Sequence, residues 1–300
     1  MPPGVNDHDY ARRQWYLNRL AQIPPFTTPR LRRNALRGVR EGRRLRRRIY
    51  ERCGSSRYSR PGLHDIDAKL ECYLPKRSGV FVEVGAFDGY RYSNTYFLER
   101  FRDWSGVLIE PIPESFRMCV RERRRSQVFN YALVGPDAPS SLTLSYGGPL
   151  SAERSKERTG AQLGRGTAFG WEETYEVTVA ARSLTAVLEE AAVQSIDLLI
   201  LDVEGTEVDV LRGLNLDRYA PGFILIETNG AERAIADVLE PRFAFVEQFS
   251  ENDAFYRRRD AQGTSAATPA RCARARPSLH LPARGLPASQ PAPGDSHAHA

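Results

Sequence analysis

The sequence predicts an α/β domain: a Rossmann-like, doubly wound, mostly parallel sheet of seven strands, with an inserted strand pair and a lid loop. Three observations predict it. Short aliphatic runs, among them Val80–Val84, Gly106–Ile109 and Ile196–Leu201, alternate with segments of helical periodicity. These runs end on glycine or carboxylate turns: Gly85-Ala86-Phe87-Asp88-Gly89, Glu110-Pro111 and Asp202-Val203-Glu204-Gly205. The length of 300 residues holds one large domain with extensions.

The elements follow in order. Residues 1–29 are polar, with Pro24, Pro25 and Pro29, and suit an unstructured lead. Across 30–52, Leu31, Ala35, Val39, Leu45 and Ile49 recur at near-helical spacing among arginines, predicting an amphipathic helix interrupted by Gly38 and Gly42. Its thin apolar stripe is expected to pack on the acidic surface of the domain; an acidic partner, RNA or an anionic membrane are the other occupants it would suit. The domain proper then spans 57–257, after an N-terminal extension of 1–56. Strands are expected at 79–84, 106–110, 127–134, 196–203, 222–228 and 242–249, with a last edge strand near 254–257. Helices are expected near 64–73, 93–101, 113–124, 183–193, 205–213 and 231–239, the fourth capped by Ser183. Ser141–Ser145 and Tyr175–Ala180 form the inserted pair, and the loop 146–174 between them, with Trp171, is read as a lid over the acceptor site. Residues 258–300, rich in Ala, Pro, Arg and Ser, bury too little to offset their ordering entropy and form a disordered tail.

Charge is distributed unevenly. The formal net charge is +6, but residues 30–52 alone carry eleven arginines against two glutamates, and the body 53–256 is acidic, at −9. Nucleic acid is therefore not the expected partner of the body. The four cysteines form no C-x-x-C pair and flank no histidine cluster, which argues against a zinc site or a disulfide framework. With no apolar signal core and no run long enough to span a bilayer, integral membrane contact is not expected and a cytoplasmic location is the default.

The first turn sets the ligand chemistry. Phe87 stands where the middle glycine of G-x-G-x-x-G would be, so no pyrophosphate seat forms and NAD is disfavoured. Acids at Glu83 and Asp88 suit a cationic amino-acid headgroup instead, and S-adenosylmethionine has one. Gly85 and Gly89 let the backbone approach the ligand, and Asp88 either meets its ammonium or serves the Asp-Gly turn. Glu83 either holds the ammonium or fixes the loop N–H groups. Asn94 either bonds the carboxylate side of the cofactor or caps its helix. Glu110, 21 residues past Gly89, closes an apolar strand where an unpaired charge would be costly, and two ribose hydroxyls would satisfy it. Asn130 and Ala132 are placed to approach the adenine. Asp202 and Glu204, two apart beyond Ile196–Leu201, would rise together at the sheet edge as the catalytic acids, one raising the other's pKa to make a general base. Asp202, Glu227 and Asn229 form an oxygen-rich set for a possible Mg²⁺, by analogy with the metal sites of some small-molecule O-methyltransferases. His64, the histidine nearest the folded body, is an outside candidate for the base.

Asp88-Gly89 followed by Ser93-Asn94-Thr95, Ile109-Glu110-Pro111, Asp202-Val203-Glu204-Gly205 and the run Ile224–Gly230 together resemble the FkbM-type methyltransferases over residues 57–257. That resemblance implies a class I methyltransferase fold, S-adenosylmethionine as cofactor, and methylation of a hydroxyl on a sugar, glycan or natural product. A small-molecule or glycan acceptor is the implied partner. An RNA-binding methyltransferase using the arginine-rich helix, and a non-catalytic binding protein of the same fold, are the rival readings.

Overall fold

The computed structural model describes residues 29–146, 152–153 and 175–259. Its main sheet has seven strands: β1 (Val80–Val84), β2 (Ser105–Ile109), β3 (Gln127–Phe129), β8 (Leu198–Leu201), β9 (Phe223–Glu227), β10 (Phe243–Gln248) and β11 (Asp253–Arg258). Their spatial order is β10-β11-β9-β8-β1-β2-β3. The five strands from β9 to β3 are parallel, whereas β11 runs antiparallel to both β9 and β10. The strand near 254–257 is thus interior. It fills the slot between β9 and β10, and β10 forms the edge.

Each central strand is apolar on both faces because helices cover both. On one face Val82, Val84, Leu199, Leu201, Ile224 and Ile226 pack against α5 (Leu184–Glu190), α6 (Glu207–Arg212) and α7 (Glu232–Leu239). On the other, Phe81, Leu108, Leu198, Ile200 and Leu225 meet α2 (Ile66–Tyr73), α3 (Tyr96–Phe101) and α4 (Pro113–Glu122), with the fully buried Trp104. Ser183 caps α5 as expected, its Oγ accepting the Ala186 N–H at 3.2 Å.

The expected strand 127–134 divides. Its first half is β3 of the main sheet; its second half, β4 (Ala132–Leu133), leaves to join β5 (Ser141–Tyr146), β6 (Ala152–Glu153) and β7 (Tyr175–Arg182) in a second sheet of order β4-β7-β5-β6. Asn130 marks the break, its Nδ2 donating to the carbonyls of Glu110 and Pro111 at 2.8 Å. Apart from Tyr146 and β6, the lid segment 146–174, Trp171 included, lies outside the described residues, as do 1–28 and the tail beyond 259.

The arginine-rich segment is a single helix, α1 (Pro29–Arg52), but it docks differently from the sequence expectation. Its apolar line faces outward: Val39, Leu45 and Ile49 are 51%, 62% and 51% exposed. Charged residues make the contact. Arg47 is buried, pairs with Glu122 and lies 3.4 Å from the centre of the Tyr90 ring. Glu51 accepts the hydroxyls of Ser59 and Tyr96, each at 2.8 Å, and pairs with Arg100 at the same distance.

Candidate active site

The strand order reverses between β1 and β8, and a cleft opens at their C-terminal ends, where doubly wound sheets place ligands. Gly85 makes the close approach possible. Its φ is +84°, and a Cβ there would stand 1.9 Å from the Asp202 carbonyl oxygen, so a side chain is excluded twice over.

Glu110 ends β2 at the cleft, 5% exposed. Its two oxygens accept the N–H of Phe87 at 2.8 Å and of Ile112 at 2.9 Å. Phe87 takes a left-handed φ of 48°, unusual for an aromatic residue, and thereby presents its N–H to that carboxylate. Burial pushes the Glu110 pKa up to about 7, with a smaller push from Asp88 and opposition from the two N–H groups. Each oxygen keeps a second lone pair for a ligand hydroxyl.

The Ser93-Asn94-Thr95 motif wraps Glu83. One Glu83 oxygen accepts the Asn94 N–H at 2.9 Å, and the other accepts the Ser93 hydroxyl at 2.9 Å and the Thr95 hydroxyl at 2.5 Å. Behind it sits Arg123, 1% exposed, 3.3 Å from Glu83 and 2.9 Å from Glu99. The Glu83 carboxylate thus braces the 93–95 segment while also lining the cleft. Asn94 lines the cleft, and its Oδ1 is buried without a hydrogen-bond partner.

Asp88 does not reach the cleft. It accepts the N–H groups of Tyr90 and Arg91 at 3.1 and 2.7 Å and pairs with the Arg91 guanidinium at 2.6 Å. Burial alone would raise its pKa, but Arg91 and those N–H groups hold it below the ordinary value. Gly89 also turns away: a Cβ there would stand 2.8 Å from the Arg123 side chain. Of the two residues placed near the adenine, Ala132 lines the cleft whereas Asn130 braces the end of β2. Ala132 continues into an apolar wall with Ile112, Leu142 and Leu144, the last two from β5.

Opposite that wall, carboxylate oxygens of Asp202, Glu204 and Glu227 lie within 4.8 Å of one another. Glu204 adopts a left-handed φ of 58° at the turn after β8. Asp202 is open to the cleft by surface area, yet protein encloses its other sides. That desolvation, then Glu227 and Glu204, raises its pKa well above the usual range, and it hydrogen-bonds Glu227 as the protonated partner. Glu227 is itself raised, chiefly by burial. Asn229 lends its Nδ2 to Glu227 at 2.7 Å, and Glu204 joins Asp202 and Glu227 in the set of three acids. Glu207, almost fully buried, holds this turn by accepting the N–H groups of Val203 at 3.2 Å and Gly205 at 3.0 Å. His64 is exposed, with φ 51°, and does not line the cleft.

Sequence reasoning missed Arg123, Glu99, Glu207 and, of the wall, Ile112, Leu142 and Leu144. Leu142 and Leu144, two apart on an expected strand, carried the one usable signal.

Several solved structures are similar to this chain at low identity. FkbM methyltransferase from Methylobacillus flagellatus is 12% identical with a TM-score of 0.38, covering 61% of this chain and 44% of its own. Aeropyrum pernix fibrillarin with natively bound S-adenosyl-L-methionine is 13% identical with a TM-score of 0.34, covering 64% and 75%. The Podospora anserina methyltransferase PaMTH1, bound to SAH, is 12% identical with a TM-score of 0.34, covering 66% and 78%. No curated protein is detectably similar in sequence. Residues 83–258, more than half of the chain, match the methyltransferase FkbM domain; the match begins at Glu83 on β1 and ends with β11, taking in the whole cleft, and the chain belongs to that family.

Proposed function

We propose that the protein is an S-adenosylmethionine-dependent methyltransferase that methylates a hydroxyl on a sugar, glycan or natural product. The observation that carries this reading is the two-ended cleft. One end offers a buried carboxylate at a strand terminus beside an apolar wall, and the other offers Asp202 and Glu204, with Glu227 close by. Glu110 accepts the ribose hydroxyls, and the wall of Ile112, Ala132, Leu142 and Leu144 takes the adenine. Asn94, which lines the same cleft, meets the methionine end of the cofactor. The sulfonium methyl then points toward Asp202 and Glu204.

The chemistry asks little more of the protein. An acceptor hydroxyl attacks the methyl carbon in line; the new C–O bond forms as the S–C bond breaks, leaving S-adenosylhomocysteine, and the hydroxyl proton passes to a carboxylate. Asp202 and Glu204, which both line the cleft, are the carboxylates placed to receive it. Three hard carboxylates at this spacing also fit Mg²⁺; held by Asp202, Glu204 and Glu227, it would lower the pKa of the acceptor hydroxyl. The acidic body favours a neutral acceptor over a polyanion.

Calorimetric titration with S-adenosylmethionine and S-adenosylhomocysteine tests the cofactor. Both bind the wild type, and Glu110→Ala weakens them at least about tenfold. A folded wild type that binds neither ligand overturns the reading. Methyl transfer to hydroxylated acceptors, run with and without Mg²⁺ and with Glu204→Gln, then tests the acid cluster.

A further inference from the structure

The outward face of α1 remains unused by the cleft. The helix is anchored on one side by Arg47, Arg44 and Glu51, which meet Glu122, Tyr90 and Tyr96. The side turned away carries Val39, Leu45 and Ile49, each more than half exposed. Gly38 and Gly42 lie along the same line. Exposed Arg43, Arg46 and Arg52 flank it. From Val39 to Ile49 the line runs about 15 Å along the helix.

We propose that this strip docks the protein onto an anionic lipid surface, with α1 lying in the plane of the interface. Its composition fits that solvent. A narrow aliphatic line enters the boundary between headgroups and acyl chains, while the guanidinium groups on either side pair with lipid phosphates and carboxylates. The charge suits an anionic surface: residues 30–52 carry +9 against −9 for residues 53–256, so the helix draws the protein down by one face while the body is repelled. Anchoring through Arg47 and Glu51 fixes the rotation of the helix, which keeps the apolar line outward. RNA is the lesser fit, because the lone aromatic side chain of the helix, Tyr50, is half-buried with its ring edge-on to Tyr58 at 5.0 Å and offers no stacking platform. Among the described residues no helix is long and apolar enough to cross a membrane, so attachment would be peripheral.

Co-sedimentation of the full chain with phosphatidylcholine vesicles, with and without phosphatidylserine, tests the proposal. Binding is expected only with the anionic lipid. Leu45→Ser/Ile49→Ser leaves net charge unchanged and is expected to lower the partition coefficient at least about tenfold. Because both side chains point away from the body, the thermal midpoint and S-adenosylmethionine titration of that variant should match the wild type. Arg43→Gln/Arg52→Gln should weaken binding as well and flatten its salt dependence. No binding to anionic vesicles, equal binding to neutral ones, or a serine variant that binds like wild type overturns the proposal. So does tighter binding of a single-stranded RNA oligonucleotide that the serine substitutions leave unaltered.

Discussion

On the proposed binding mode, Glu110 couples cofactor binding to protons. Its carboxyl titrates near 7 in the folded, ligand-free protein, against an ordinary value of 4.5. The folded state therefore holds this proton more tightly than the unfolded chain. Its stabilising contribution is complete below the unfolded value and fades as pH rises toward the folded one. Asp67, raised by burial to about 6, acts in the same direction over an overlapping window. The thermal midpoint of the ligand-free protein should fall, from these two groups, as pH climbs from the ordinary carboxylate range toward neutrality. Glu110→Gln should flatten that slope, which differential scanning calorimetry across the range would register. Ribose hydroxyls donate, so they prefer the ionised carboxylate, and S-adenosylmethionine affinity should climb with pH until it levels off above about 7. Titrations in buffers of different ionisation heat should show proton release on binding at pH about 6 and little at about 8. That Glu110, Asp202 and Glu204 stand at the cleft was legible in the sequence because a carboxylate closing an apolar strand has few other uses. Asp88 was not, since an Asp-Gly pair satisfies its own turn, and residue type alone does not say whether the carboxylate faces loop or ligand.

Among the elements, α4 carries more than its length implies. The residue that follows it, Arg123, reaches Glu83 on β1 and Glu99 on α3, and it also donates to Thr95 at 2.7 Å and to the Gly89 carbonyl at 3.3 Å. One guanidinium thus ties a strand, a loop and two helices together beneath the cleft. Arg123→Met removes the cation and leaves two buried carboxylates uncompensated, which should cost about 3–5 kcal/mol. In a domain of this size that lowers the melting temperature by roughly 10 °C. Cofactor affinity should fall with it, as the 93–95 loop loses its footing. These contacts span 24 to 40 residues of sequence and have no period, so no pattern in the chain announces them. The same limit explains α1. Apolar spacing correctly marked a helix over 30–52, and the usual inference then turned its apolar line inward. Arg47 on an aromatic face and between acids outcompeted a line containing two glycines.

For the whole molecule, the alternation of strand and helix was visible in the sequence because buried parallel strands and amphipathic helices have distinct periods. The order of the last strands was not. A closing hairpin can extend a sheet edge or tuck its second strand inside, and both use the same alternating residues. Here β11 pairs with β9 through Asp253–Arg257 and with β10 on its other side. A chain ending at Asn252 should lose the pairing partner of both. It should expose the β9 edge and aggregate, which light scattering of the truncated protein beside one ending at Arg259 would reveal. That interior position also bears on how the protein is made. β10 is complete at Gln248, but its permanent neighbour is the strand translated after it. The sheet can therefore close only after Arg258 has left the ribosome, and until then its open β9 edge is exposed to chaperones and proteases.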